Sequence, residues 1–299
     1  MKSCAQGNTI YYSYAFSLRR TQMEMKTNDE RLNEFKFNQH KSYGGGSYIP
    51  DDDYLRLSAV YDIDSETLKQ RMREYQESNE AEARRILDQN DTSFIKGLRP
   101  QNIGFLGDSI TAYRESYANI IRTALSDQKQ LRFHDFAVSG ARSCDLFNYL
   151  LPFILDAKLD VVHIMIGTND HRLTNDAMRA YHISPAEYEK NVSYIVYKLQ
   201  QTGCKLIISS IPPLIQEKLE KSLSQFQVLY TERDRTLYNH ILKGICAKSN
   251  VIFNDMESVY QKYAVEELLL GDGIHLGKLG QRLMAEQVFP KLLDILKAN

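Results

Sequence analysis

From Pro100 onward, short apolar runs alternate with amphipathic segments, and no other feature of the sequence constrains the fold as much. The apolar runs span residues 102–106, 131–138, 160–166, 205–211 and 251–254. The amphipathic segments lie near 111–126, 143–157, 185–202, 217–248 and 277–297. This alternation predicts a three-layer α/β/α domain over residues 100–299, with a central, mostly parallel five-stranded sheet. Ligands of such a domain bind at the carboxyl ends of the strands.

The first hundred residues follow a different pattern. Residues 1–48 show no sustained period of 2 or 3.6 and end in three glycines, which predicts a flexible or partly ordered arm. Residues 49–99 predict a small helical extension of two helices joined at Asp62 and Ile63, with a cap at Asp64 or Ser65. We expect this extension to act as a cap, a lid or an interaction element, through which a homo-oligomer would form.

The run from Leu55 to Met72 also has the spacing of a helix-turn-helix, so a DNA-binding or partner-binding module fused to the larger domain is an alternative. The charges argue against nucleic acid. Lys and Arg total 37 against 38 Asp and Glu, and the second helix mixes both signs. Nucleic-acid binding is therefore disfavoured.

The cysteines and the N-terminal residues bear on the compartment. The four cysteines are scattered and form no C-x-x-C pair, which favours neither disulfides nor a zinc site. The N-terminal segment has no uninterrupted apolar stretch of the kind found in signal peptides, and no segment approaches 18 apolar residues. We therefore expect a cytoplasmic protein.

One short segment places a serine at the end of the first predicted strand. Gly107-Asp108-Ser109-Ile110 lies between that strand and a predicted helix. The serine hydroxyl would face the crevice, and its backbone N–H would lie at a helix N-terminus, where a developing oxyanion is favoured. The structural alternative is that Asp108 or Ser109 only caps the helix.

Three further segments supply the other groups of an acyl-transfer site. Gly140, after the second strand, can present its N–H to a substrate oxygen, and the Asn169 amide, after the third, is a neutral and directional donor. A turn-forming glycine and an Asx-turn are the alternatives. Asp272 and His275 lie in one loop before the last helix, where a base can reach the serine and a carboxylate can orient the imidazole.

In this order, the four segments resemble the sequence blocks of the SGNH hydrolases, also called the GDSL esterase and lipase superfamily, from about Asn102 to Asn299. The resemblance implies a flavodoxin-like α/β/α fold. It implies a catalytic triad of Ser109, Asp272 and His275, with an oxyanion hole formed by Ser109, Gly140 and Asn169. Hydrolysis of an ester would pass through an acyl-enzyme and would require no metal or organic cofactor. The first block reads Asp-Ser-Ile rather than the commoner Asp-Ser-Leu, a conservative apolar change.

The resemblance leaves the substrate open, because the family includes carbohydrate O-deacetylases, short-chain esterases, thioesterases and lysophospholipases. We expect the substrate rim to be formed by Tyr113, Arg114, His171 and Arg172. The polarity of these residues favours a hydrated, sugar-like alcohol. We expect a carboxylic ester with a short acyl group, such as an O-acetyl carbohydrate. A thioesterase, a lysophospholipase and a catalytically silent fold that binds a ligand are the alternatives.

Overall fold

A computed structural model describes residues 26–42, 49–223 and 227–298. Most of the predicted arm, including its three glycines, lies outside the described residues. The arm's described part contains helix α1, Asn28–Lys36, whose N-cap Thr27 forms a capping box with Glu30. A 3₁₀-helix follows at Gln39–Ser42.

The predicted extension contains two helices between residues 49 and 88. Helix α2, Tyr54–Tyr61, ends at Asp62, which adopts the left-handed conformation with φ +52°. Helix α3, Ser65–Asp88, begins where the Asp64 side chain accepts a hydrogen bond from the Thr67 N–H at 2.9 Å. The chain divides into two compact units within α3, after Arg73. A 3₁₀-helix at Ser93–Gly97 precedes the sheet.

Five parallel strands form the central sheet: β1 (Gln101–Gly107), β2 (Leu131–Ala137), β3 (Val161–Met165), β5 (Lys205–Ser209) and β7 (Ile252–Asn254). Their order across the sheet is β2-β1-β3-β5-β7. The short strands β4 (Leu173–Thr174) and β6 (Val228–Leu229) pair separately and antiparallel. The order is that of a flavodoxin-like fold, in which the crevice at the carboxyl ends of β1 and β3 is the topological switch point. The predicted fold class is confirmed.

Helices cover both faces of this sheet, because successive strand residues point into different hydrophobic cores. Phe105 and Ile207 belong to one core, together with residues of the last helix, whereas Leu106 and Ile208 belong to the other.

The remaining helices are α4 (Ser109–Ala112), α5 (Tyr117–Ala124), α6 (Ser143–Asp145), α7 (Leu151–Asp156), α8 (Pro185–Gln200), α9 (Gln216–Ser222), α10 (Glu232–Ser249), α11 (Glu257–Tyr260), α12 (Val265–Leu268) and α13 (Lys278–Ala298). A π-helical segment, Leu146–Leu150, joins α6 to α7.

Two predicted helices are wrong in their extent. The helix expected near 111–126 is divided into α4 and α5, because the Ser116 side chain caps a new helix by accepting from the Asn119 N–H. The helix expected at 217–248 is divided into α9 and α10. There the Thr231 side chain accepts from the Asp234 N–H at 3.1 Å and begins α10.

The part of α3 that belongs to the second unit has polar contacts close to two of the predicted site segments. The Asn79 amide donates to the backbone carbonyl of Arg114 at 2.9 Å, and this contact is buried. The Glu82 carboxylate, only 3% exposed, lies 3.5 Å from the Lys278 ammonium and 3.8 Å from the Arg282 guanidinium. Residues 74–88 therefore form an integral part of this unit.

Within the portion of the chain that the structure describes, no helix has the length and apolar character needed to cross a membrane.

Candidate active site

Strand β1 delivers Ser109 to the carboxyl edge of the sheet. Asp108 is the N-cap of α4, and its Oδ1 accepts a hydrogen bond from the Ile110 N–H at 3.0 Å. The capping role therefore falls on Asp108, which leaves the Ser109 hydroxyl available to another partner. Gly107 is required here because a Cβ at this position would lie 2.6 Å from the Met165 carbonyl oxygen of β3. Because α4 has only four residues, its dipole is small. An oxyanion at Ser109 would be stabilised by nearby backbone N–H groups rather than by a long helix.

Ser109, His275 and Asp272 form a continuous hydrogen-bonded chain. The Oγ of Ser109 lies 2.8 Å from Nε2 of His275, and Nδ1 of His275 lies 2.7 Å from Oδ2 of Asp272. An ionised carboxylate can only accept, so Nδ1 carries the proton and Nε2 accepts from the serine hydroxyl. All three residues retain partial solvent exposure, which leaves the serine within reach of a substrate.

Asp272 also shapes the loop that carries the imidazole. Its Oδ1 accepts the backbone N–H groups of Ile274 and His275 at 3.0 and 3.1 Å. Burial alone would raise the pKa of Asp272, but the hydrogen bonds and charge of His275 and the backbone N–H groups outweigh it and lower the pKa. The carboxylate therefore remains ionised and holds the imidazole in one orientation.

Gly140 and Asn169 lie on the loops that follow β2 and β3. Gly140 is exposed and has φ +80°, a conformation that favours glycine, and a Cβ there would meet nothing within 4 Å. Asn169 is 8% exposed, and its Nδ2 donates to the Ala141 carbonyl at 3.0 Å. The structure therefore joins these two loops at the same edge of the sheet as Ser109.

A buried carboxylate beside Asn169 was not assigned a role from the sequence. Asp170 is fully buried and accepts from the Ser143 N–H at 2.9 Å and from the Ser143 hydroxyl at 2.5 Å. Asn191 on α8 donates to the same hydroxyl at 2.9 Å. These bonds fasten the loop of Gly140 to the loop of Asn169. The signal was an acidic residue in the turn that follows an apolar strand, since a carboxylate buried there needs hydrogen-bond donors.

Burial raises the pKa of two carboxyl groups at this edge. The pKa of Asp170 rises to about 7 because of desolvation, which outweighs the lowering by its bonds from Ser143. The pKa of Asp108 rises to about 6, again chiefly by desolvation. The charge of Asp108 also contributes to the raised pKa of Asp170.

The four predicted rim residues differ in their exposure to solvent. The prediction that His171 lies on the rim is wrong, because this residue is fully buried. Its Nδ1 lies 2.9 Å from the Gly167 carbonyl oxygen, and it has no surface left for a substrate. Arg114 is only 4% exposed, and its carbonyl accepts from Asn79. Tyr113, 3% exposed, donates to Glu115 at 2.7 Å. Arg172 is partly exposed, and its Nε donates to His182 Nδ1 at 3.1 Å.

The carboxylate of Asp272 acts electrostatically on the phenol of Tyr113. Burial, followed by the carboxylate of Glu115 and more distantly that of Asp272, raises the pKa of Tyr113 above its ordinary value. The phenol therefore stays protonated and donates its one hydrogen bond to Glu115. Over residues 26–42, 49–223 and 227–298, no group of three or more His, Cys, Asp or Glu side chains could hold a metal ion.

Residues 105–283 match the GDSL-like lipase/acylhydrolase family. The chain belongs to this family. As a member of the GDSL-like lipase/acylhydrolase family, it is an ester-hydrolysing enzyme of the SGNH type. None of the curated proteins matches the chain.

Solved structures with this fold include esterases. An acetyl xylan esterase, AlAXEase, is 22% identical with a TM-score of 0.52, and the match covers 64% of this chain and 99% of that one. A lipase/acylhydrolase from Enterococcus faecalis is 18% identical with a TM-score of 0.53, covering 64% and 95%. A catalytic mutant of an acetylxylan esterase from Geobacillus stearothermophilus is 19% identical with a TM-score of 0.52, covering 65% and 95%. At these identities the likeness shows a shared fold.

Proposed function

We propose that this GDSL-family enzyme hydrolyses a short-acyl carboxylic ester through an acyl-enzyme on Ser109. The observation that carries the proposal is the hydrogen-bonded chain from Ser109 through His275 to Asp272, with links of 2.8 and 2.7 Å. A serine hydroxyl is a weak nucleophile unless an adjacent base removes its proton. Here the base is already in hydrogen-bonding contact with it.

The first half of the reaction forms the acyl-enzyme. The Oγ of Ser109 attacks the ester carbonyl carbon while Nε2 of His275 takes the hydroxyl proton. Asp272 stabilises the resulting imidazolium. Negative charge develops on the former carbonyl oxygen, where the N–H groups of Ser109 and Gly140 and the Asn169 amide donate to it. When the tetrahedral intermediate collapses, His275 gives its proton to the leaving alcohol.

The second half returns the enzyme to its starting state. A water molecule gives a proton to His275, and its oxygen attacks the acyl carbonyl carbon. Collapse of the second tetrahedral intermediate breaks the bond to Ser109, releases the carboxylic acid and returns the proton to Oγ. These steps use only side chains and backbone groups of the chain and a water molecule.

For the substrate, we propose an O-acetyl ester of a carbohydrate. The partial exposure of Ser109 and His275 favours an acyl group too short to need a deep apolar tunnel, and a bulky, hydrated alcohol can remain outside. Two neighbours of the same fold are named as acetyl xylan esterases, which supports this choice. Arg172, which is partly exposed, would supply a polar contact at the edge.

The test compares acyl chains and alcohols on one enzyme preparation. Turnover of p-nitrophenyl acetate, butyrate and octanoate, of an acyl thioester and of acetylated xylo-oligosaccharides is measured for the unaltered chain, for Ser109→Ala and for Ser126→Ala. Ser126 is an exposed serine and serves as the matched control. We expect acetate to be the best acyl group and Ser109→Ala to abolish turnover. Full activity of Ser109→Ala would refute the nucleophile. A preference for octanoate or for acyl thioesters would instead favour a lysophospholipase or a thioesterase.

A further inference from the structure

Gln281 lies inside the catalytic unit on α13, six residues after His275. Its side chain is fully buried at 0% exposure. A buried amide requires hydrogen-bonding partners, because an unsatisfied one costs about 1–3 kcal/mol. The partners of Gln281 therefore show what the side chain holds together.

Both ends of the amide contact the segment that follows the nucleophile. Nε2 donates to the Ile110 carbonyl at 3.0 Å, and Oε1 accepts from the Tyr117 N–H at 2.9 Å. Tyr117 is the first residue of α5, where backbone N–H groups lack partners within the helix. Ile110 directly follows Ser109. One side chain thus spans the segment from the nucleophile turn to the start of the next helix.

The same segment is fastened to the sheet on its other side. The Tyr117 hydroxyl lies 2.9 Å from Oγ1 of Thr111 and 2.9 Å from Nδ1 of His163 on β3. Nε2 of His163 lies 2.7 Å from the Ser209 hydroxyl on β5. Burial lowers the pKa of His163 to about 3, so this histidine stays neutral. These contacts hold the segment against the sheet. None of the three reaches α13, the helix that follows His275.

We propose that Gln281 is a positioning residue that sets the distance between the Ser109 hydroxyl and the His275 imidazole. It joins the element after the nucleophile to the element after the base through two buried hydrogen bonds. The inference rests on the proposed function, because it assumes that the 2.8 Å contact between Ser109 and His275 is the productive one. Displacing reacting groups by about 1 Å can slow an enzyme about 100-fold.

The experiment compares Gln281→Met with Gln287→Met. The first substitution removes both hydrogen bonds at similar volume, and the second makes the same change at a partly buried position further along α13. Turnover of p-nitrophenyl acetate is expressed per active site, counted by titration with a fluorophosphonate. We expect Gln281→Met to lower kcat between about 10-fold and 100-fold with KM changed less than about twofold. Gln287→Met should match the unaltered chain.

A structural role alone would reduce the number of titratable sites and the melting temperature but would leave kcat per site unchanged, and that result would overturn the proposal. Gln281→Glu supplies a second test, because a protonated carboxyl group offers the same donor and acceptor as the amide. Its deficit in kcat should narrow as the pH falls. A deficit that stays the same as the pH falls would overturn the proposal even if Gln281→Met does not fold.

Ser109→Ala separates this inference from the proposed function. If the unaltered chain turns over the ester, Ser109→Ala does not, and Gln281→Met retains full kcat per site, the positioning role fails and the nucleophile stands. If Ser109→Ala remains active, the proposed function fails first, and the positioning role fails with it.

Discussion

The side-chain amide nitrogen of Asn169 donates a hydrogen bond to the backbone carbonyl of Ala141 at 3.0 Å. The bond joins the loop that carries Gly140 to the loop that carries Asn169. A primary amide has two N–H groups, so holding one on Ala141 fixes the direction of the other. Two of the three proposed oxyanion donors, Gly140 and Asn169, are therefore oriented relative to each other before a substrate binds, which is the condition for electrostatic preorganisation.

Asn169→Ala should lower kcat for p-nitrophenyl acetate between about 100-fold and 1000-fold, with little change in KM, because an oxyanion donor acts mainly in the transition state. Steady-state kinetics on the folded variant measure both parameters. A raised KM with unchanged kcat would mean instead that Asn169 binds the ground state of the substrate.

Asp272→Asn should lower kcat by roughly 10⁴-fold, because the amide can no longer hold the His275 tautomer in which Nε2 accepts from Ser109. Its Oδ1 can still accept the N–H groups that shape the loop, so the melting temperature should change little. Labelling by a fluorophosphonate should slow in parallel with turnover. A loss smaller than about tenfold would exclude Asp272 as the orienting acid.

Asp170→Asn should flatten the pH dependence of stability. The folded-state pKa of Asp170, raised to about 7, exceeds its unfolded value. Between about pH 4 and 7 the folded chain holds a proton that the unfolded chain releases, so this group's contribution to the unfolding free energy falls as pH rises, by about 1.4 kcal/mol per pH unit. The variant should lose this slope.

Urea unfolding at four pH values between 4.5 and 7.5 measures the effect of Asp170→Asn. Asp108 has a raised pKa as well and adds a slope of the same sign in both proteins. The difference between the two slopes therefore reports Asp170 together with its charge coupling to Asp108. Identical slopes for the two proteins would show that Asp170 is already ionised in the folded state at pH 4.5.

Gly107→Ala should destabilise the chain by about 1–3 kcal/mol or more, because the new Cβ would lie 2.6 Å from the Met165 carbonyl oxygen in the neighbouring strand. Gly97→Ala is the matched control, since a Cβ at Gly97 would meet nothing within 4 Å. That change should stay within about 0.5 kcal/mol. Equal unfolding free energies for both variants would show that β1 and β3 can separate locally at low cost.

The sequence was sufficient to predict the sheet and the residues at its carboxyl edge. Buried parallel strands are continuous apolar runs, and Val161–Met165, buried along its whole length, was easy to recognise. The distances among Ser109, His275 and Asp272 were not predictable, because they depend on how two chain segments far apart in sequence pack together.

Where the predictions fail, the cause is local capping or tertiary burial. Thr231 and Asp234 form a cap in the middle of a segment interpreted as one helix, although Thr followed three residues later by Asp is a known start signal. His171 is polar but buried, because the Gly167 carbonyl satisfies Nδ1. The role of Gln281 was also missed, because a glutamine in an amphipathic helix usually faces water, whereas this one is buried.

Residues 74–88 lie outside the range that matches the family. The buried side chains of Asn79 and Glu82 nevertheless contact Arg114, Lys278 and Arg282. A shorter fragment cut at the family boundary would lose the hydrogen bond from Asn79 to the Arg114 carbonyl and the acidic partner of two cations. Expression boundaries should therefore be chosen upstream of residue 74. For comparisons across relatives, the useful unit of this chain is larger than the matched family domain.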